Sequence, residues 1–425
     1  MVVVNPKRLT GFYDRPKETM APAERRRSQE GWLRELVDLA WNRAPGVRRR
    51  MEAAGLSPDD LCDLEALARL PVMRKSAMPE LQKADPPFGG FSTLSREELR
   101  YIFISPGPIY EPTGPEPSPW RAEIGLYAGG FRPGDLVIDT FAYHLTPLAH
   151  LTDRALALLR CTVIPTGPGN TDLQVSLIRE LGVTGYVGTP SFLMTILKRA
   201  EELGVGKLPL EVAHVGAEPL PESLRRSFEE DYAVFTRQGY GTADVGVVAY
   251  ECVEKAGMHI IEDAIFQICD PETGAPLPRG EIGEVVVTVN HRTYPMIRFG
   301  TGDLSVVTEA PCPCGRTSAR MLGWRGRVDE VTKVRGMFIH PRQADEVAAR
   351  VPGVTRHQVV VSRHDHQDVL TFRVELAAGT EATGVVPVLE AAIREVMKLR
   401  GQAEVVPQGT IPEGAKKIVD ERTWD

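Results

Sequence analysis

The chain has 425 residues, 42% of them hydrophobic and 25% charged, which is enough for two or three domains of ordinary globular composition. Its 50 Lys and Arg against 57 Asp and Glu make it mildly acidic, and no basic tract interleaves with aromatics, which argues against nucleic acid as the main partner. No window approaches about 18 uncharged apolar residues, the start "MVVVNPKRLTGFYDRPKE" lacks a signal-peptide core, and six cysteines do not suggest a disulfide framework. A cytoplasmic protein without a membrane span is expected.

In chain order, "ERRRSQEGWLRELVDLAWNRA" (24–44) sets Trp32, Leu33, Leu36, Val37, Ala40 and Trp41 on one helical stripe, the mark of a packed amphipathic helix. Short apolar strands then alternate with helical patterns: "DLVIDTF", "CTVIPTG" before "NTDLQVSLIRELG", "VTGYVGTP" before "SFLMTILKRAEELG", and "EVAHVGAEPLP" before "ESLRRSFEEDY". Strand, Gly/Pro turn and helix in repetition predict an α/β domain with a mainly parallel sheet, whose ligands gather at the loops after the strands. From about Asp263 the pattern turns β-rich ("AIFQICD", "GEVVVTV", "DLSVVTE"). After "GWRGRVDE" a compact α+β unit of about 95 residues follows, with a boundary near Arg327–Asp329.

Several turns carry polar groups suited to anions. "TGPGNTD" (166–172) opens a helix, where free amides meet anions, or is a plain turn capped by Asn170 or Thr171. "QGYGTADVG" and "IRFGTGDLS" each set an acid beside glycines and hydroxyls. "FISPGPIYEPTGPEPSPW" (103–120) holds six prolines and two glutamates, and no lysine.

In this order, "YHLTPLAHL", "CTVIPTGPGNTDLQ", "YVGTPSFL", "VGAEPLP", "YGTADVGVVAYEC", "YPMIRFGTGDLS", "CPCGRT", "GRVDEVTKVRGMFIHPRQ" and "PQGTIPEGAKKIVD" resemble the acyl-adenylate-forming superfamily, most closely phenylacetate-CoA ligase and its relatives. The resemblance covers roughly three quarters of the chain, from about Tyr101. It implies a large N-terminal AMP-binding domain (1–327), α/β with mainly parallel sheets plus a β subdomain, and a small mobile α+β C-terminal domain (328–425). It further implies ATP-dependent conversion of a small carboxylic acid, aryl by analogy, to an acyl-AMP, then transfer to CoA with release of AMP, aided by Mg²⁺. A homodimer is a further expectation from such relatives.

The same resemblance distributes roles. Gly216, Ala217, Glu218 and Pro219 would line the adenine. Tyr240 would stack near it, with Gly241 and Thr242 toward phosphate. Asp244 stands where the Mg²⁺-binding glutamate is usual, preceded by Ala243 in place of a hydroxyl residue. Asp303 would hold the ribose, Arg327 would add a nucleotide contact, and Asp329 would be the hinge. Lys333 and Gly336 would line the CoA channel. Lys416 is the candidate catalytic lysine, with Lys417 the alternative; an alignment anchored on the following Val-Asp would put Gly414 there, and solvated lysines on an edge strand are the plain reading. Tyr143, His144, Gly188, Thr189 and Pro190 are candidates for the acyl pocket, although Tyr143 and His144 also suit a packed core.

The loop at 103–120 takes the place of a Ser/Thr/Gly-rich phosphate loop normally closed by a lysine. Pro106, Pro108, Pro112 and Pro115 have no N–H to offer, whereas Ser105, Gly107 and Tyr110 keep theirs. Glu111 would repel a triphosphate unless a metal intervenes or it faces away. A pre-formed loop holding pyrophosphate through backbone groups with metal help is the expectation.

Cys252 and His259 with Cys312 and Cys314 form a set suited to tetrahedral Zn²⁺ in a structural site, or four residues that never meet. His364 and His366 are expected at a hairpin turn. Three functions stay open: an acid–CoA ligase, an adenylating enzyme without CoA transfer (as in deazaflavin-adenylating relatives), and a nucleotide-binding homologue that has lost turnover.

Overall fold

The computed structural model describes residues 5–105, 107–328, 332–335, 337–339, 341–364, 367–380 and 382–423. The chain divides into two compact units, Met1–Leu220 with Arg225–Val328, and Pro221–Leu224 with Asp329–Asp425.

In the first unit, the apolar stripe of the N-terminal helix Pro22–Arg43 buries Leu33, Leu36, Val37 and Ala40 completely, as its spacing predicts. The strands that follow build a nine-stranded sheet. Five of them run parallel in the order Thr162–Pro165, Leu136–Asp139, Gly185–Gly188, Val212–Val215 and Phe235–Thr242. The sheet then turns antiparallel through Gly246–Glu251, Met258–Ile260, Arg320–Met321 and Val307–Thr308. Tight turns cause the change: "TADVG" is too short for a helical crossover, so its strands pair as a hairpin.

Leu136–Asp139 has its sequence successor on one side and the next strand on the other. The strand order therefore reverses at its carboxyl end, where open α/β sheets bind ligands. A second, four-stranded sheet joins Ala264–Cys269, Gly283–Val289 and Phe299–Ser305 to the short strand Met73–Arg74, which pairs parallel with Phe299–Gly300. The helix at Thr171–Leu181 starts after Asn170, whose φ is +53° and whose side chain makes no cap bond. Gln174 donates to Thr166 Oγ1 and to the Gly167 carbonyl, which ties the helix to the turn before it.

The second unit packs helices Pro341–Ala348 and Val385–Val396 on a four-stranded sheet whose core includes Val359, Val361, Phe372, Leu389 and Ile393. The single strand-like run "VTKVRGMFI" folds instead as a hairpin of Thr332–Val334 and Met337–Ile339. His364 ends the strand Val354–His364, and His366 lies outside the described residues.

Candidate active site

Asp139 closes the switch-point strand, fully buried. Burial pushes its carboxyl well above the usual range, although it accepts from the Phe141 N–H at 2.9 Å and from Tyr143 Oη at 3.2 Å. Tyr143 is half-buried, with the His150 ring edge-on at 5.1 Å, while His144 is exposed on the loop. Opposite lies the next strand end. A Cβ on Gly188 would sit 2.0 Å from Thr140 Oγ1, so only glycine permits this approach. Thr189 then caps the helix Pro190–Glu202 by accepting from the Phe192 N–H. The Gly216–Pro219 loop is tied to that corner: Gly216 N–H donates to the Gly188 carbonyl at 3.2 Å, and Glu218 accepts from the Ser191 N–H at 3.3 Å. The candidates of "GTPSF" and "GAEP" thus share one rim, and Asp139 joins them from outside any motif.

The hairpin "YGTADVG" depends on glycine at two points. A Cβ on Gly241 would lie 2.2 Å from the Gly246 carbonyl oxygen, and Gly246 itself has φ +76°. The turn directs Asp244 inward, where its side chain has no solvent exposure and accepts from Thr242 Oγ1 at 3.1 Å. Its closest partner is a residue the motifs do not mark. Lys75 Nζ lies 2.5 Å from Asp244 Oδ2.

Across from this pair stands Glu111. Tyr101–Ser105 and Ile109–Thr113 pair as an antiparallel hairpin, setting Glu111 opposite Phe103 with its side chain turned in and 3% exposed. Ser105 Oγ donates to Glu111 Oε1 at 2.6 Å. Burial and the Asp244 charge push the Glu111 carboxyl up to about 8, against the opposing pull of Lys75. The hairpin is clamped from behind: Gln82 accepts from the Tyr110 N–H at 2.8 Å and donates to the Tyr110 carbonyl at 2.7 Å. That amide is therefore engaged within the chain. Gly107 has φ +139°, and Pro106 lies outside the described residues.

Glu111 Oε2 and Asp244 Oδ1 are buried oxygens without a hydrogen-bond partner. Two such oxygens in one charged pocket fit a hard divalent cation, which favours carboxylate ligands.

The third constellation centres on Asp303. It accepts from Tyr240 Oη at 2.9 Å, Trp324 Nε1 at 3.0 Å and Arg327 Nη1 at 3.0 Å, and Asp303 and Arg327 also bridge through their main chains. Sequence reasoning named Tyr240, Asp303 and Arg327 separately; the fold brings them together and adds Trp324.

Of the residues assigned to the second unit, Asp329 and Gly336 lie outside the described residues, as does the side chain of Lys333. Lys417 Nζ is held by both oxygens of Asp345, at 2.6 and 2.7 Å, whereas Lys416 is exposed.

Cys252, His259, Cys312 and Cys314 converge, their ligand atoms all within 4.8 Å of one another. Cys252 Sγ and Cys312 Sγ are 3.7 Å apart, close to the about 3.8 Å that a tetrahedral zinc with bonds of about 2.3 Å would require. His259 stands in the central pairing of Met258–Ile260, with Nε2 3.4 Å from Cys314 Sγ and Nδ1 3.4 Å from Ser318 Oγ, which orients the ring.

The reversal of strand order beyond Asp139 marks a ligand crevice of an open α/β sheet, and the first unit carries two further polar constellations around Asp244 and Asp303. The family model described as AMP-binding enzyme matches residues 129–292, and that of the AMP-binding enzyme C-terminal domain matches 336–422. Phenylacetate-coenzyme A ligase of Thermus thermophilus is 33% identical over 381 residues, covering 86% of this chain and 84% of the relative. That of Escherichia coli is 28% identical over 424 residues, covering 95% of each. A crystal structure of 2-hydroxyisobutyryl-CoA ligase with 2-HIB-AMP and CoA superposes with a TM-score of 0.86 at 27% identity, covering 97% of this chain and 92% of that one. The chain belongs to the AMP-binding enzyme family, in its phenylacetate-CoA-ligase-like branch. It is an acid–CoA ligase by class. Among the described residues, no helix is long and apolar enough to cross a membrane.

Proposed function

We propose that this enzyme activates an aryl carboxylic acid with ATP and transfers the acyl group to the thiol of CoA. A carboxylate oxygen attacks the α-phosphorus and pyrophosphate leaves. The CoA sulfur then attacks the acyl carbon, and AMP leaves with the bonding electrons. The observation that carries the reading is the assembly of Asp244 with Thr242, and of Asp303 with Tyr240 and Arg327. The aryl assignment draws on relatives named phenylacetate-coenzyme A ligase.

In this reading Asp303 and Arg327 bind the ribose end of the nucleotide, Gly216–Pro219 line the adenine, and Tyr143 with Gly188–Pro190 form the acyl pocket. Lys416 meets the carboxylate and α-phosphate. Mg²⁺, when bound, offsets phosphate charge, and Asp244 and Glu111 are the residues that would hold it. Asp329, Lys333 and Gly336 serve hinge and thiol channel. Cys252, His259, Cys312 and Cys314 would hold a structural Zn²⁺ that joins the segments carrying them and takes no part in the chemistry. A cytoplasmic site of action accords with six unpaired cysteines.

The test is pyrophosphate release across a panel of aryl and short-chain acids, with and without CoA. Acid-dependent release, with thioester formed when CoA is present and best turnover on an aryl acid, is expected. Release without any thioester would leave only an adenylating enzyme, and no release with any acid would refute both.

A further inference from the structure

In the related pattern the phosphate loop closes with a lysine; here the loop has none, and Glu111 faces inward from it. A bound triphosphate would meet two carboxylates, Glu111 and Asp244, with no cation contributed by the loop. We propose that Lys75, from a different part of the chain, supplies the phosphate-binding cation that this loop lacks. The inference rests on the acyl-adenylate reading above.

Three observations carry it. Lys75 Nζ is 2.5 Å from Asp244 Oδ2, the acid of "YGTADVG", and its side chain keeps 17% exposure where that of Asp244 has none. The lysine side chain thus keeps some contact with solvent, whereas the acid it neutralises keeps none. Glu111, on the other of the two motifs expected around the phosphates, is the second carboxylate whose charge acts on it. The segment that carries Lys75 is also fixed against both neighbours. Met73–Arg74 pairs with Phe299–Gly300 on the strand of Asp303, and Gln82, further along the same segment, clamps Tyr110 of the loop. A lysine anchored at both ends serves as a positioned charge with little entropy left to lose.

The pairing with Asp244 defines the unliganded partner. Once a divalent cation balances Asp244, the ammonium can turn its donors to a phosphate oxygen, so the lysine and the loop glutamate have exchanged the usual locations of the positive charge. Lysine on phosphate is a charge-assisted interaction whose loss is felt strongly in a partly buried site.

The experiment is calorimetric titration of the full chain with Mg-ATP and, separately, with adenosine. Lys75→Met is expected to weaken Mg-ATP binding about tenfold or more and leave adenosine binding unchanged. The double variant Lys75→Met/Glu111→Lys, which returns a lysine to the loop beside Asp244, is expected to recover most of the loss. A purely structural Lys75 would weaken both ligands and would not be rescued, which overturns the proposal. So would Mg-ATP affinity of Lys75→Met within about twofold of the parent. If Lys75→Met fails to fold, the double variant decides alone: affinity near the parent's supports the assignment, and a loss of about tenfold overturns it. A parent chain that binds adenosine but not Mg-ATP would sink the acyl-adenylate reading along with it, an outcome distinct from failure of Lys75 alone.

Discussion

Tyr240 Oη donates to Asp303 Oδ2 at 2.9 Å, joining the strand that opens "YGTADVG" to the strand that carries "TGD". Tyr240 and Asp303 belong to different sheets, and this bond sets the carboxylate's orientation before any ligand arrives. Trp324 and Arg327 hold the other oxygen.

Tyr240→Phe should therefore raise KM for ATP about three- to tenfold with a small change in kcat, because one neutral hydroxyl donor to a carboxylate is lost. Asp303→Asn should cost more, about tenfold to a hundredfold in kcat/KM for ATP, since the charge opposite Arg327 disappears as well. Steady-state kinetics with ATP varied would check both, and equal effects of the two variants would contradict this division.

Lys416→Ala should lower acyl-AMP formation by about a hundredfold or more while thioester formation from supplied acyl-AMP stays near the parent's rate. Lys417→Ala should instead act on stability, since Lys417 is engaged by Asp345. The two half-reactions, assayed separately with a thermal melt of each variant, distinguish the lysines. Loss of adenylation in Lys417→Ala alone would reverse the assignment.

Protein purified without added zinc should carry about one zinc per chain, as a four-ligand structural site implies. Cys312→Ser should lower both the metal content and the melting temperature, with KM for ATP unchanged in the fraction that stays folded. Metal analysis finding no zinc in folded, active protein would remove the site.

His291 is buried with an unpartnered Nε2, and burial followed by the nearby Arg121 charge lowers its pKa to about 4, with Glu116 opposing. The unfolded chain takes up a proton near the ordinary value of 6.5, which the native chain refuses until about pH 4. Native stability is thus retained above about pH 6.5 and falls as pH drops from there to 4, by up to about 3 kcal/mol. His291→Gln cannot titrate, so its melting temperature should fall less than the parent's between pH 7.5 and pH 5. An unchanged acid slope in the variant would exclude His291 as its source.

Much of this was legible in the chain because the information is local. The stripe of Leu33, Leu36, Val37 and Ala40 follows from helical spacing, and the parallel strands from their alternation with helices. The four zinc-type ligands were legible as a chemical set, although only long-range pairing of Met258–Ile260 with Arg320–Met321 brings "CPC" to His259. What stayed hidden was set by contacts distant in sequence. Lys75 lies outside every motif and reaches Asp244 through the pairing of Met73–Arg74 with Phe299–Gly300. Asp139 is an ordinary strand-end residue until the strand order puts it at the switch point. The inward turn of Glu111 depends on the hairpin register with Phe103, which six nearby prolines obscure.

Formation of an acyl-AMP is the step on which every other assignment depends, and exchange of labelled pyrophosphate into ATP measures it. Exchange should require a carboxylic acid and a divalent cation, proceed without CoA, and collapse in Asp244→Asn and Lys416→Ala. Exchange that is absent with every acid supplied, or that continues unchanged in both variants, would contradict that expectation.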